Sequence, residues 1–464
     1  MDAAARCGLT ALPGQTNFAY VIVPDAGLTD GGTLCRGAAG GYERGTRGPI
    51  GRMNGRRERM RTFLTGAAMA AIALAAAPAA ADTLVEVDAE HVNEAVPMPT
   101  FAVDASWPRL PENMILGQAP GLAVDRDDNI WVLNRPNSLG FSDLGADNGQ
   151  SIACCSAPPH VLQFDQDGNL LRSWGGADLA PGEATFKGEG QDRTELGDEQ
   201  WPANVHGLYV DDDLNVWIGG NGGGDHVVLN FTTDGEFIRQ IGTRQQTDGN
   251  LSREYLGNPA DIHYDGESVL VADGYINKRI IEFGADDLAF QHLWGAYGTE
   301  PGGGTREGEF DQSQASSTGD GGANPESESF GDIVHCVVRG PDDTIYVCDR
   351  RNNRLQLFRE TADGVEFLQD VVIAEETGGT RTASDVAFSP DGTYVYVADM
   401  MNGRVWILLR ETHEIVGHFG RNGRYPGQFI WLHSVDVDSM GNVYTTEVST
   451  GRRVQRFVLT GMTD

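Results

Sequence analysis

The stretch GLYVDDDLNVWIGG, residues 207–220, reads as one β-hairpin: an apolar run at Leu208–Val210, a polar turn at Asp211–Asn215, and a second apolar run from Val216. The same grammar returns in GLAVDRDDNIWVLNR (121–135), DIHYDGESVLVADG (261–274), CVVRGPDDTIYVCDR (336–350), DVAFSPDGTYVYVADM (385–400) and SVDVDSMGNVYTTEV (434–448). Each hairpin is answered by a further apolar run, as in VVLNFTTDGEFIRQIG (227–242) and RIIEFGADDLAFQHLWG (279–295). Four strands per unit and six units predict an all-β, six-bladed β-propeller. The sixth unit runs out near Thr460 without a fourth strand, so a segment within 83–104 is expected to supply it and close the ring. The polar inserts at 136–159, 176–200 and 296–329 read as loops over one face.

Upstream of the repeats, Arg56, Arg57, Arg59 and Arg61 precede FLTGAAMAAIALAAAPAAA, the layout of a secretory signal peptide. Residues 53–81 are therefore expected to be a cleaved signal, 1–52 to be a start codon assigned too early, and 82–464 to be a single propeller domain. This places the protein in the periplasm or outside the cell, with no stable membrane anchor after cleavage. The chain carries a formal charge of −33. Nine Arg and five acidic residues lie in 1–81, which leaves 25 Lys+Arg against 62 Asp+Glu. Such a surface excludes nucleic acid as a partner and reads as a solvated coat. Cys336 and Cys348 flank the turn Gly340–Asp343 symmetrically, so in a hairpin they face each other and can form a disulfide. Cys154 and Cys155 form a vicinal pair whose state the pattern leaves open.

The residues just ahead of the six first strands are Pro120, His206, Ala260, His335, Ser384 and His433. Histidine takes this slot in units two, four and six and in no other. With blades about 60° apart, alternate blades set three imidazoles about 120° apart beside the central channel. Three neutral nitrogens with a fourth position left open is the ligand logic of a catalytic metal site, with zinc the default and other imidazole-loving ions admissible. The other seven histidines show no such phase.

At these residues the chain resembles the peptidyl-α-hydroxyglycine α-amidating lyase family, over most of the mature chain from SWPRLPENMILGQAPGLAVD (106–125) onward. The most specific phrases are VADGYINKRIIEF (271–283), VCDRRNNRLQLF (347–358) and the three histidine segments. The resemblance implies that His206, His335 and His433 hold a catalytic zinc, that Tyr275 is a catalytic residue, and that Arg135 and Arg350 bind substrate. It implies cleavage of an N-acyl or peptidyl α-hydroxyglycine to an amide and glyoxylate; separately, the protein is expected to work as a monomer. Chemically, Tyr275 would accept a proton and Arg135 or Arg350 would clamp the substrate carboxylate. Three departures stand out. Ser434 replaces the family aspartate that helps hold a structural calcium, Trp431 replaces a methionine near the third histidine, and Ile276 follows Tyr275 where the family has a disulfide cysteine.

Two other readings remain open at this level. One is a non-catalytic NHL-type binding propeller with a structural channel metal. The other is a calcium-dependent lactonase-like hydrolase, which needs an acidic cluster at the channel where the aligned slots offer histidines.

Overall fold

Asp211 shows how the repeated hairpin is made. Its Oδ1 accepts the backbone N–H groups of Asp213 and Asn215 at 3.0 and 2.7 Å, and its Oδ2 accepts the indole N–H of Trp217 at 2.9 Å. One buried carboxylate thus satisfies the turn and anchors the first large side chain of the second strand. Asp125 repeats this with Asn129 and Trp131, and Asp438 with Asn442 and Tyr444. The residue before each asparagine is left-handed: φ is 61° at Asp128, 65° at Leu214 and 83° at Gly441.

A computed structural model describes residues 83–144, 155–176, 185–187, 194–196, 200–301, 323–331 and 333–463. The expected signal segment and the residues ahead of it lie outside the described residues, as does Cys154. Among the described residues no helix is long and apolar enough to cross a membrane.

The architecture is the six-bladed propeller expected from the repeats. The inner strands are Leu122–Val124, Val205–Val210, Asp261–Tyr264, Val334–Arg339, Asp385–Phe388 and Leu432–Val437. Each touches the next around the axis, and the sixth returns to the first. Six apolar clusters fill the six blade interfaces. Trp131 joins blade one to Val205 and Ile218 of blade two, and Trp217 joins blade two to Ile262 and Val271 of blade three. Each fully buried side chain of this kind contributes about 1.5–3 kcal/mol, so the wedges between blades hold the ring.

Ring closure follows the expectation. Pro99–Asp104 pairs antiparallel with Val454–Met462, with Val103 opposite Phe457. Two additions were not foreseen. Leu84–Glu86 pairs with Pro99–Asp104 on the outside of blade six, and Ala89–His91 adds to blade five, with Ala89 opposite Phe419. The N-terminal segment therefore latches two blades. Within the 176–200 insert, expected to be loop, Thr185–Lys187 pairs with Thr194–Leu196 as a short hairpin.

Cys336 and Cys348 form the disulfide expected from the hairpin, with Cα atoms 4.8 Å apart.

Candidate metal centre

The three slot histidines meet on the axis. Their ring centroids are 5.0 Å (206–335), 4.8 Å (206–433) and 4.7 Å (335–433) apart, a nearly equilateral triangle. One ligating nitrogen from each lies within 4.8 Å of the others. All three are buried.

Each histidine is the second residue of its inner strand rather than the residue ahead of it, because each strand begins two residues earlier than the sequence suggests. The reason is a β-bulge. Register breaks between Val205 and Leu208, between Val334 and Val337, and between Leu432 and Ser434, whereas the three inner strands without histidine pair regularly. A bulge re-aims the side chain it carries, here toward the axis.

The other three slots orient the rings. Nδ1–H of His206 donates to the carbonyl of Ala260 at 2.7 Å, and Nδ1–H of His335 to the carbonyl of Ser384 at 2.6 Å. The ring of His433 bonds the carbonyl of Pro120, which also accepts the Ser434 hydroxyl at 3.1 Å. Each blade without a histidine thus fixes the ring of the blade before it. With Nδ1 committed as donor in His206 and His335, Nε2 keeps its lone pair. Nε2 of His335 is buried with no hydrogen-bond partner, a costly state that a metal ion would relieve. Burial, reinforced by the charge of Arg350 on all three and of Arg135 on His206 and His433, holds the imidazoles well below their ordinary pKa, in the neutral form a metal requires. The donor set therefore fits a first-row divalent ion, and three imidazoles leave its identity open.

Tyr275 stands beside the triad. Its hydroxyl donates to Nε2 of His206 at 2.7 Å. Gly274, just before it, has no room for a side chain: a Cβ there would lie 1.9 Å from the carbonyl oxygen of Val334, the residue preceding His335. The glycine of the Asp-Gly-Tyr phrase lets the Tyr275 turn press against the strand of the second ligand.

One mouth of the channel opens above the triad as a cavity of about 340 Å³ that Arg135, His206, Tyr275, Arg350, Arg381, Met400, Trp431 and His433 help to line. All six residues singled out in the sequence lie around this centre. Arg135 is braced by Val205 (carbonyl), Gln118 and Asn221 through its three nitrogens at 2.9–3.2 Å. Burial lowers its pKa to about 10, against the raising influence of Tyr275 and Asp225. The Arg350 guanidinium lies 5.9 Å from the Tyr275 ring centroid and 3.8 Å from Sδ of Met400. Asp349, next to Arg350, pairs with Arg354 at 2.8 Å.

Sequence reasoning passed over Arg381, Gln118 and Met400. Arg381 lies three residues ahead of the Ser384 slot and Gln118 two ahead of Pro120, so reading the approach to each slot would have found both. It also passed over the opposite mouth. There Asp125, Asp128, Asp212, Asp261, Asp385 and Asp436 line a cavity of about 430 Å³, so the channel does carry acidic residues. Asp261, Asp385 and Asp436 accept the backbone N–H of Val337, Val435 and Val124 in the next blade at 3.1, 3.0 and 2.6 Å. Burial pushes their carboxyls up, that of Asp436 to about 6. Among the described residues the three histidines are the group of three or more ligating side chains that converges.

No protein-family model matches the chain. It is similar to NHL repeat-containing protein 3 of Mus musculus, 25% identical over 378 residues, covering 79% of this chain and 87% of that protein. It is also similar to NHL repeat-containing protein 3 of Homo sapiens, 23% identical over 369 residues, covering 77% of this chain and 84% of that one. Among solved structures, a streptogramin B lyase superposes with a TM-score of 0.42 at 11% identity over 78% of this chain and 98% of that one, a likeness too distant to bear on function. The chain is thus similar, at a distance, to NHL-repeat proteins.

Proposed function

We propose that the protein is an exported, metal-dependent carbon–nitrogen lyase that cleaves an N-acyl or peptidyl α-hydroxyglycine to an amide and glyoxylate. The observation that carries this is the juxtaposition of three neutral imidazoles with the Tyr275 hydroxyl, 2.7 Å from Nε2 of His206, beneath a cavity that presents arginines. A divalent ion held by His206, His335 and His433 would supply Lewis-acid chemistry at the carbinol oxygen.

The remaining work falls to the protein. Arg350, with Arg135 braced beside it, receives the substrate carboxylate. Tyr275 relays the proton: it takes the carbinol proton as its own hydroxyl proton passes to the departing nitrogen. As the C–N bond breaks, its electron pair goes to that nitrogen, which becomes the amide, while the carbinol carbon becomes the aldehyde of glyoxylate. Atoms balance without water or an oxidant. We place the protein in the periplasm or outside the cell on the signal-like segment at 53–81, acting as a monomer on a small or peptidyl substrate.

The test is glyoxylate release from benzoyl-α-hydroxyglycine by the mature chain before chelation, after it, and after zinc is restored. Release that disappears with chelator and returns with zinc is expected. A metal-loaded protein that releases none would favour a second reading, a non-catalytic binding propeller with a structural metal. Its support is that the carbonyl bonds of the rings tie neighbouring blades while the triad ties alternate ones.

A further inference from the structure

Three guanidiniums approach one small cavity, and a single substrate carboxylate does not account for them. Arg135, Arg350 and Arg381 all line it, and among the described residues no acidic side chain does, in a chain with a formal charge of −33. Arg381 is set apart from the other two. They follow the second strands of blades one and four, whereas Arg381 enters on the connection leading into the inner strand of blade five, between Ile373 and Asp385.

That connection is held in place. The backbone N–H of Arg381 donates to the carbonyl of Arg350 at 3.0 Å. Next to it, Thr382 donates its N–H to Asn353 at 3.2 Å and its hydroxyl to the carbonyl of Ile373 at 2.7 Å. The guanidinium lies 6.0 Å from the ring centroid of Trp431, which is 38% exposed, so the pair forms the outer rim of the cavity. Both are left-handed, with φ of 81° at Arg381 and 61° at Trp431. Non-glycine residues adopt that conformation at a cost, and such strain clusters where a side chain must be presented to a ligand. An aromatic face under the guanidinium holds its plane for bidentate recognition.

We propose that Arg381, on its Trp431 platform, reads a second anionic group at the acyl end of the substrate. This rests on the lyase reading above and names its substrate class: small N-acyl-α-hydroxyglycines whose acyl chain ends in a carboxylate. The inner carboxylate faces Arg350 and the distal one faces Arg381.

The experiment compares N-succinyl- with N-butyryl-α-hydroxyglycine, which differ at the acyl terminus, using the full metal-loaded protein. A charge-assisted pair predicts a kcat/KM preference for the succinyl substrate of about tenfold or more, expressed in KM. Arg381→Gln should bring the ratio near one, and Arg381→Lys should restore part of it. No preference in the parent protein, or a ratio that Arg381→Gln leaves unchanged, overturns the proposal. A second arm separates its failure from that of the lyase reading. Succinate binding to the metal-loaded protein, measured by calorimetry, should weaken about tenfold in Arg381→Gln whether or not either compound is turned over. Equal binding by the two proteins overturns the anion site, whereas turnover of neither substrate with Arg381-dependent succinate binding overturns the lyase chemistry alone.

Discussion

The hydroxyl of Tyr275 and Nε2 of His206 lie 2.7 Å apart, and the lone pair that accepts this hydrogen bond is the one a metal ion would take. The two roles are alternatives, so the hydroxyl is not needed to hold the ion. Tyr275→Phe is therefore expected to keep one metal per chain while kcat falls by about 10²–10⁴-fold, the range for a lost proton acceptor. Elemental analysis beside the glyoxylate assay decides it. Unchanged kcat would make Tyr275 a lining ring and no more.

The neutral state of the triad makes a prediction about acid. Burial and the nearby arginines hold all three imidazoles well below their ordinary pKa, so they stay neutral where exposed histidines protonate. Metal occupancy at pH 5.5 should equal that at pH 7.5 after dialysis against metal-free buffer. In the chelated protein the sign for stability is the reverse. Below about pH 6.5 the unfolded chain takes up protons that the folded triad refuses, so each imidazole removes up to about 1.4 kcal/mol per pH unit as pH falls. Asp436, with its carboxyl pushed up to about 6, works in the opposite sense over pH 4–6. The difference in slope between the parent and His335→Gln isolates the imidazole contribution. Parallel slopes would show that His335 titrates normally.

How far the sequence carried these conclusions depended on whether a residue sat in phase with the repeat. His206, His335 and His433 were found because all three occupy one slot, and the missing fourth strand of blade six pointed to residues 83–104. The strands Leu84–Glu86 and Ala89–His91 were not found, since segments of three largely exposed residues carry no alternation. The two-residue offset of the histidines was equally out of reach, because a bulge arises from pairing between strands and leaves no composition signal. Arg381 escaped because it arrives on a connection outside the strand pattern. Asp436 escaped because it lies three residues past its slot, whereas Asp261 and Asp385 lie one past theirs.

Gly274 couples the Tyr275 turn to the strand of His335, and a methyl group at this position tests the coupling. The added Cβ would fall 1.9 Å from the Val334 carbonyl oxygen, so one backbone must move. Gly274→Ala is expected to lose about 1–3 kcal/mol of stability, as overpacked sites do. It should also lower turnover more than Gly207→Ala, where the nearest atom is the Ala260 carbonyl at 2.7 Å. Denaturant midpoints and kcat measured on both variants check this. Full activity in Gly274→Ala would mean that the turn relaxes without moving Tyr275.

The Cys336–Cys348 disulfide invites the idea that it sets the metal site, since Cys336 follows His335 directly and Cys348 lies two residues before Arg350. Two anchors independent of the sulfurs argue otherwise. His335 is held by the Ser384 carbonyl at 2.6 Å, and its strand is paired to the next by Val337 opposite Val347 and Val334 opposite Asp349. The bridge spans 12 residues, and removing a loop closure of that size costs about 2–3 kcal/mol. The double variant Cys336→Ala/Cys348→Ala is therefore expected to melt several degrees lower while keeping its metal and its preference among substrates. Calorimetric melting combined with metal analysis provides the check. Metal lost without a change in melting temperature would show that the disulfide positions His335 after all.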